Sequence, residues 1–166
     1  MLTYHQGFDI YHTAFRTLRV LNEAETKSLE KDKLRIIDFI ILFPNDLENM
    51  KMPVGSTSYR NLYKDNRYNS IPNRKRLFIQ LGKYFETSLQ CLLTFGILDL
   101  ESYKNSLIKL VNFEVAKKVL ETSLNTSTID VNIMAFIKGY LFEMNLHELK
   151  KRTELIEYRY DLFTSQ

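Results

Sequence analysis

The sequence predicts a mainly α fold with a small β element: a winged helix-turn-helix-like domain with added C-terminal helices and a terminal strand. Three observations carry that prediction. Only five Gly and three Pro stand among the 166 residues, against many Leu, Ile, Lys and Glu, which is a helix-forming composition. Apolar residues recur at helical spacing through several long stretches. One such stretch closes on a glycine and is followed by two short apolar pieces with a polar turn between them. A winged helix-turn-helix domain runs from its third helix into its wing in that order.

Tyr11, Phe15, Leu18 and Leu21 share one helical face with Arg16 and Arg19 off it, so 8–22 reads as an amphipathic helix. "NEAETKS" breaks it. Ser28 is the expected N-cap of the next helix, with Glu30 and Asp32 in the first turn, where the helix dipole favours negative charge. That helix should run to Phe43 and stop at Pro44. Its apolar positions, among them Leu34, Ile36, Ile37, Phe39 and Ile40, cover most of its circumference, which predicts a central, buried helix. From Asn45 to Asn73 the periodicity fades, and an irregular or partly helical surface insertion is expected. Leu77, Leu81, Phe85, Leu89 and Leu92 then mark a long helix with Gly96 as C-cap.

"ILDLESYKNSLIKLV" supplies the two wing strands and their turn. Two further helices, Glu114–Leu124 and about Ile129–Glu143, are joined by the capping-type stretch "NTSTID", and a short helix Leu146–Lys151 leads to the end. There Tyr158, Tyr160 and Leu162 alternate with Glu157, Arg159 and Asp161, the period of a two-faced strand. A terminal strand has free edge groups and pairs either with its own wing or with a partner's sheet. The whole chain, 1–166, reads as one domain, with a core of about 8–111 and a C-terminal helical extension and strand over 112–166.

Apolar residues make up 45% and charged residues 26%, the balance of a globular protein large enough to bury roughly 70% of its unfolded surface. The lone cysteine, Cys91, lies in "SLQCLLTF" and reads as a packed small hydrophobe, not a nucleophile. The first residues show no basic and no apolar leader region. The longest apolar run, Ile36–Phe43, is interrupted by Asp38 and falls far short of the ~20 residues a membrane span requires. A cytoplasmic protein without membrane contact is expected. Three histidines, His5, His12 and His147, offer no zinc spacing, and there is no glycine-rich phosphate loop and no Ser/His/Asp set. The expectation is a non-enzyme with no metal, no cofactor and no small-molecule substrate.

The net charge of +3 is unevenly placed. Between Lys51 and Gln90 stand eight basic and two acidic residues, a local +6 that leaves −3 on the remainder. Lys64, Arg67, Tyr68, Arg74, Lys75 and Arg76 are the candidate nucleic-acid or partner-binding residues: cations for phosphates and an aromatic ring to stack on a base or sugar. Arg74–Arg76 at a helix N-terminus opposes the helix dipole, which points to a ligand or an acidic partner. The plain alternative is a solvated loop and a basic first turn.

With these pieces placed, the chain resembles the small middle component of the ABC-three-component prokaryotic conflict systems, the group that includes Lamassu-type antiphage systems. The matching stretches are "YHTAFRTLRVL" (Tyr11–Leu21), "LEKDKLRIIDFIILFP" (Leu29–Pro44), "IPNRKRLFIQLGKYFETSLQCLLTFGILD" (Ile71–Asp99) and "LKKRTELIEYRYD" (Leu149–Asp161). The family pattern has Pro where Thr13 stands and Gly where Glu154 stands. The resemblance implies a winged-helix accessory subunit beside an SMC-like ABC ATPase and a separate nuclease effector; the leading reading is a non-catalytic link between the two, with double-stranded DNA as a further candidate partner. On that reading Arg152, Glu157, Tyr158, Arg159 and Tyr160 form a partner interface. The competing reading is a stand-alone winged-helix DNA-binding transcriptional regulator, and a third is a small hydrolase.

Overall fold

The computed structural model of the protein describes residues 5–64, 71–122 and 129–157. Helix α1 (Ile10–Glu23) begins at Asp9, whose carboxylate accepts from the His12 N–H at 3.0 Å. It starts later than the periodicity suggests. Gln6–Phe8 forms a separate 3₁₀ turn, capped by His5 Nδ1 accepting from the Gly7 N–H. The buried face also differs from the expected one. Thr13, Arg16, Thr17, Leu18, Val20 and Leu21 point inward, while Tyr11 is 75% exposed. The reason is an ion pair: Arg16 Nε and Nη2 donate to the two oxygens of Asp38 at 2.6 and 3.2 Å, drawing the Arg16 side of the helix onto its neighbour.

That neighbour is α2 (Lys31–Leu42), which ends before Pro44 as predicted and buries Leu34, Ile36, Ile37, Phe39 and Ile40. Ser28 is not its N-cap. Lys27 takes a left-handed conformation (φ +52°) and swings 28–30 into a strand, β1 (Ser28–Glu30). This strand pairs antiparallel with β2 (Leu107–Lys109) through Ser28↔Lys109, Leu29↔Ile108 and Glu30↔Leu107. The first N–H of α2, on Lys31, finds the Ser106 carbonyl at 2.8 Å, so this donor of the helix start is satisfied across the sheet where no side-chain cap is present.

Helix α4 (Arg74–Thr94) packs along α1 and buries Phe78, Leu81, Phe85, Leu89 and Leu92, the face its spacing predicts. Gly96 closes it at φ +68°, with its N–H on the Leu93 carbonyl and the Ile97 N–H on that of Leu92. The chain then passes Leu98, bridged to Leu110, and the expected polar turn is a short helix, α5 (Leu100–Lys104), capped by Asp99. The peptide joining Lys109 to Leu110 donates to the Lys27 carbonyl and accepts from the Asp99 N–H. Donor and acceptor of one peptide point to opposite edges, so the β2 segment runs between β1 on one side and Leu98 on the other. Among the described residues the sheet has two strands, joined by this single extra bridge.

The insertion before α4 is less superficial than predicted. A 3₁₀ turn, Pro44–Glu48, and helix α3 (Thr57–Leu62) bracket a bend in which Asp46, Leu47, Met50 and Ser56 are buried. Arg60 holds the bend by donating to the carbonyls of Leu47 and Met50 at 3.1 and 2.6 Å. In the C-terminal extension, α6 (Phe113–Thr122) is followed by α7 (Val131–Phe136), capped by Asp130 and continued as a π turn, Ile137–Leu141. Lys33 Nζ reaches from α2 to the carbonyls of Phe142 and Met144, each at 2.7 Å, and so satisfies the end of that helix. Helix α8 (Leu146–Thr153) stops at Glu154. One continuous apolar cluster joins α1, α2, α4 and the sheet to Ile133, Phe136, Ile137, Leu141 and Leu149 of the extension. Glu157 is exposed and lies outside any strand; the rest of the expected closing strand, from Tyr158 on, lies outside the described residues. No described helix is long and apolar enough to cross a membrane.

Candidate functional site

The basic cluster divides into two kinds of residue. Arg74 is engaged inside the fold. Its Nε and Nη2 donate to both oxygens of Asp46 at 2.7 and 2.6 Å, and Nη1 donates to the Thr153 carbonyl at 2.7 Å. The unfavourable cation at the helix start is thus compensated by a buried carboxylate within the chain. Lys64, Lys75 and Arg76 are exposed. Asn73, at φ +54°, accepts from the Arg76 N–H and sets the start of α4, so Lys75 and Arg76 project from its first turn. Further along α4, Ile79, Gln80, Lys83, Thr87 and Gln90 are also exposed. Lys83, one of the eight cations of the basic segment, therefore belongs to this solvent face. Arg67 and Tyr68 lie outside the described residues.

Of the expected interface residues, Arg152 is also engaged within the chain. Its Nη1 donates to the carbonyls of Lys51 and Met52, and Nε lies 2.7 Å from Glu148 Oε1. Tyr158, Arg159 and Tyr160 lie outside the described residues. Next to Arg152, Lys51 Nζ meets Glu154 Oε1 at 2.9 Å, and this hydrogen bond and charge hold the Glu154 carboxyl below its ordinary range.

Two concavities flank α6. The larger, about 800 Å³, is an apolar groove between the N-terminal half of α1, the C-terminal end of α4 and one side of α6. Tyr11, Phe15, Cys91, Phe95, Val115 and Val119 line it, with Tyr11 and Phe95 about three quarters exposed. Cys91 is therefore an exposed thiol on the groove and not a packed core residue. It sits on α4 beside the buried stripe, where one step around the helix separates core from surface. The apolar stripe of α1 was legible, but only its Leu18 and Leu21 end is covered; the Tyr11 and Phe15 end opens into this groove.

The second, about 540 Å³, lies on the other side of α6, where Leu120 faces the C-terminal half of α1 and helix α7. Arg19, Asn22, Val131, Met134 and Lys138 are among its walls. Glu23 pairs with Lys138 at 2.7 Å, whereas Arg19 Nε and Nη2 are buried without a hydrogen-bond partner. Among the described residues no group of three or more His, Cys, Asp or Glu is placed to hold a metal ion. His5 titrates below the usual histidine value because it is partly buried and faces the Arg16 cation, and its ring stacks on Phe43.

Fold and surface define a mainly helical protein whose prominent features are concavities suited to other molecules. The chain belongs to the ABC-three component system Middle Component 5 family, whose model matches residues 2–161. It is accordingly an accessory component of such a system, with the system's other components as its partners. Comparison with curated proteins and with solved structures gave no match.

Proposed function

We propose that the protein is the non-catalytic accessory subunit of a Lamassu-type antiphage complex in the cytoplasm, linking an SMC-like ABC ATPase to a nuclease effector. The apolar groove carries the linking role. A contiguous apolar surface that includes Tyr11 and Phe95 is characteristic of a protein–protein contact. Its shape, a trough between helical walls, suits the apolar face of a helix from another component of the system. Membership of a multi-component family supports a protein occupant over a free ligand.

DNA contact is the second part of the proposal. With the short α3 of the insertion and the α5 turn set aside, the order α1, β1, α2, α4, Leu98, β2, with β2 in the middle, supports a winged-helix reading in which α4 is the third helix of the core. Lys75, Arg76 and Lys83 on its exposed face then meet phosphates, with Lys64 nearby in sequence on the same basic segment. A stand-alone regulator would use the same helix, but it would purify as a homodimer and prefer a palindromic site.

The test is co-expression with the neighbouring ATPase and effector. Tyr11→Asp with Phe95→Asp should abolish co-purification while the isolated chain melts normally, because both side chains are already exposed. Lys75→Glu with Arg76→Glu and Lys83→Glu should weaken DNA binding and flatten its dependence on salt, by about 0.9 in log–log slope for each phosphate no longer neutralised. Undiminished co-purification of the groove variant refutes the linking role, and an unchanged salt slope refutes the DNA contact.

A further inference from the structure

Among the described residues two arginines grip a carboxylate by the Nε/Nη2 edge: Arg16 holds Asp38 and Arg74 holds Asp46, each through Nε to one oxygen and Nη2 to the other. This side-on fork is the geometry in which a guanidinium matches a carboxylate. In a third, Arg19, the same two atoms are buried with no partner, and the residue lines the 540 Å³ cavity between α1, α6 and α7. Glu23, one turn further along α1, is in position to answer it but is turned to Lys138 Nζ instead. A buried donor left without an acceptor costs free energy that the fold does not recover by itself. Leu120, Ile129, Val131, Met134 and Ala135 give the cavity an apolar side, and Asn22 and Lys138 complete its walls.

We infer that this cavity binds a carboxylate carried on an apolar stem, with the Nε/Nη2 edge of Arg19 as the receptor and the aliphatic walls taking the stem. The site is separate from the apolar groove, which lies across α6, so it stands or falls independently of the proposed linking role. The carboxylate has two conceivable sources, a free aliphatic acid or an acidic side chain of another component of the system.

The purified full-length chain is titrated with sodium octanoate and, as the uncharged control, 1-octanol, followed by amide chemical shifts or calorimetry. Octanoate should bind at least tenfold more tightly than octanol, with shifts centred on α1, α6 and α7. Arg19→Leu should erase that preference while keeping a melting temperature equal to or above that of the wild type, since it removes an unpartnered cation. Equal binding of the two probes, or no binding of either, overturns the inference. A marked fall in melting temperature of Arg19→Leu overturns it as well, because Arg19 would then be structural. The source is read in a second arm with the assembled complex. If octanoate competes with assembly and Arg19→Leu weakens it, the carboxylate belongs to a component. If Arg19→Leu loses octanoate but assembles normally, the ligand is a free acid.

Discussion

Arg74 and Asp46, 28 residues apart, form a two-pronged ion pair at 2.7 and 2.6 Å that fastens the first turn of α4 to the bend after α2. The aspartate side chain is 3% exposed and the arginine 16%. Removing one member leaves the other as a buried charge without a counter-charge, which costs on the order of 3–5 kcal/mol. Arg74→Ala should therefore lower the urea midpoint sharply and also free the Thr153 carbonyl. Lys75→Glu with Arg76→Glu, one and two positions on, should leave stability within about 0.5 kcal/mol, as surface changes do. Equal effects of the two variants would contradict the division of the basic cluster into a structural and a solvent-facing part.

Glu154 ends α8 in the left-handed conformation, φ +53°, where a side chain is strained and glycine is not. Its pair with Lys51 is exposed and contributes little. Glu154→Ala loses the pair and keeps the strain; Glu154→Gly loses the pair and relieves it. Glycine should be the more stable of the two by about 1 kcal/mol in urea unfolding, although alanine is ordinarily the stabilising residue near a helix. If alanine proves the more stable, the left-handed cap is not formed in solution.

Tyr63 donates its hydroxyl proton to Asp130 Oδ1 at 2.6 Å, tying the end of α3 to the cap of α7. The bond holds the Asp130 carboxyl below its reference value of 3.8, helped by the N–H groups of Ile133 and Asn132. A depressed carboxyl contributes stability that is complete above pH 3.8 and lost as the pH falls through the lower, folded value. Burial and the same bond raise the Tyr63 phenol, so its contribution is complete below pH 10 and is lost as the pH climbs beyond it. Tyr63→Phe should cost about 1 kcal/mol at neutral pH and flatten both flanks of the stability profile. Thermal melts from about pH 2 to 11 decide it, and a variant profile parallel to the wild type's would refute the coupling.

What could be read from the sequence follows from how far each feature depends on distant residues. The face of α4 was legible because Leu81, Phe85, Leu89 and Leu92 repeat within one helix. Strand β1 was not, since the three residues Ser28–Glu30 carry no period and exist as a strand only because Leu107–Lys109 lies alongside. The burial of Arg16 depends on Asp38, 22 positions away, and a charged residue read alone is placed outside. The groove at Tyr11 and Phe95 was hidden for the opposite reason: periodicity marks an apolar stripe but does not say which part of it the fold covers. Arg19 gave no signal at all, because an arginine without a partner looks like any other in a sequence.

Gly82 lies within α4, where alanine would ordinarily add about 0.5–1 kcal/mol of helix stability. Here a Cβ would fall 2.4 Å from Arg35 Nη2 and 2.8 Å from its Cζ. Arg35 is not free to yield without loss. Its guanidinium lies 4.1 Å from the centroid of the Phe78 ring, and Nη2 donates to the Phe78 carbonyl at 2.9 Å. Gly82→Ala should displace it and cost the stack, the hydrogen bond and some repacking, on the order of 1–3 kcal/mol for such overpacking, which outweighs the helix gain. In an Arg35→Ala background the obstruction is gone, and the same Gly82→Ala change should then stabilise. The reversal of sign, measured as a double-mutant cycle in urea, isolates the contact from the helix propensity of either residue. If Gly82→Ala stabilises in both backgrounds, Arg35 does not pack against α4 as described.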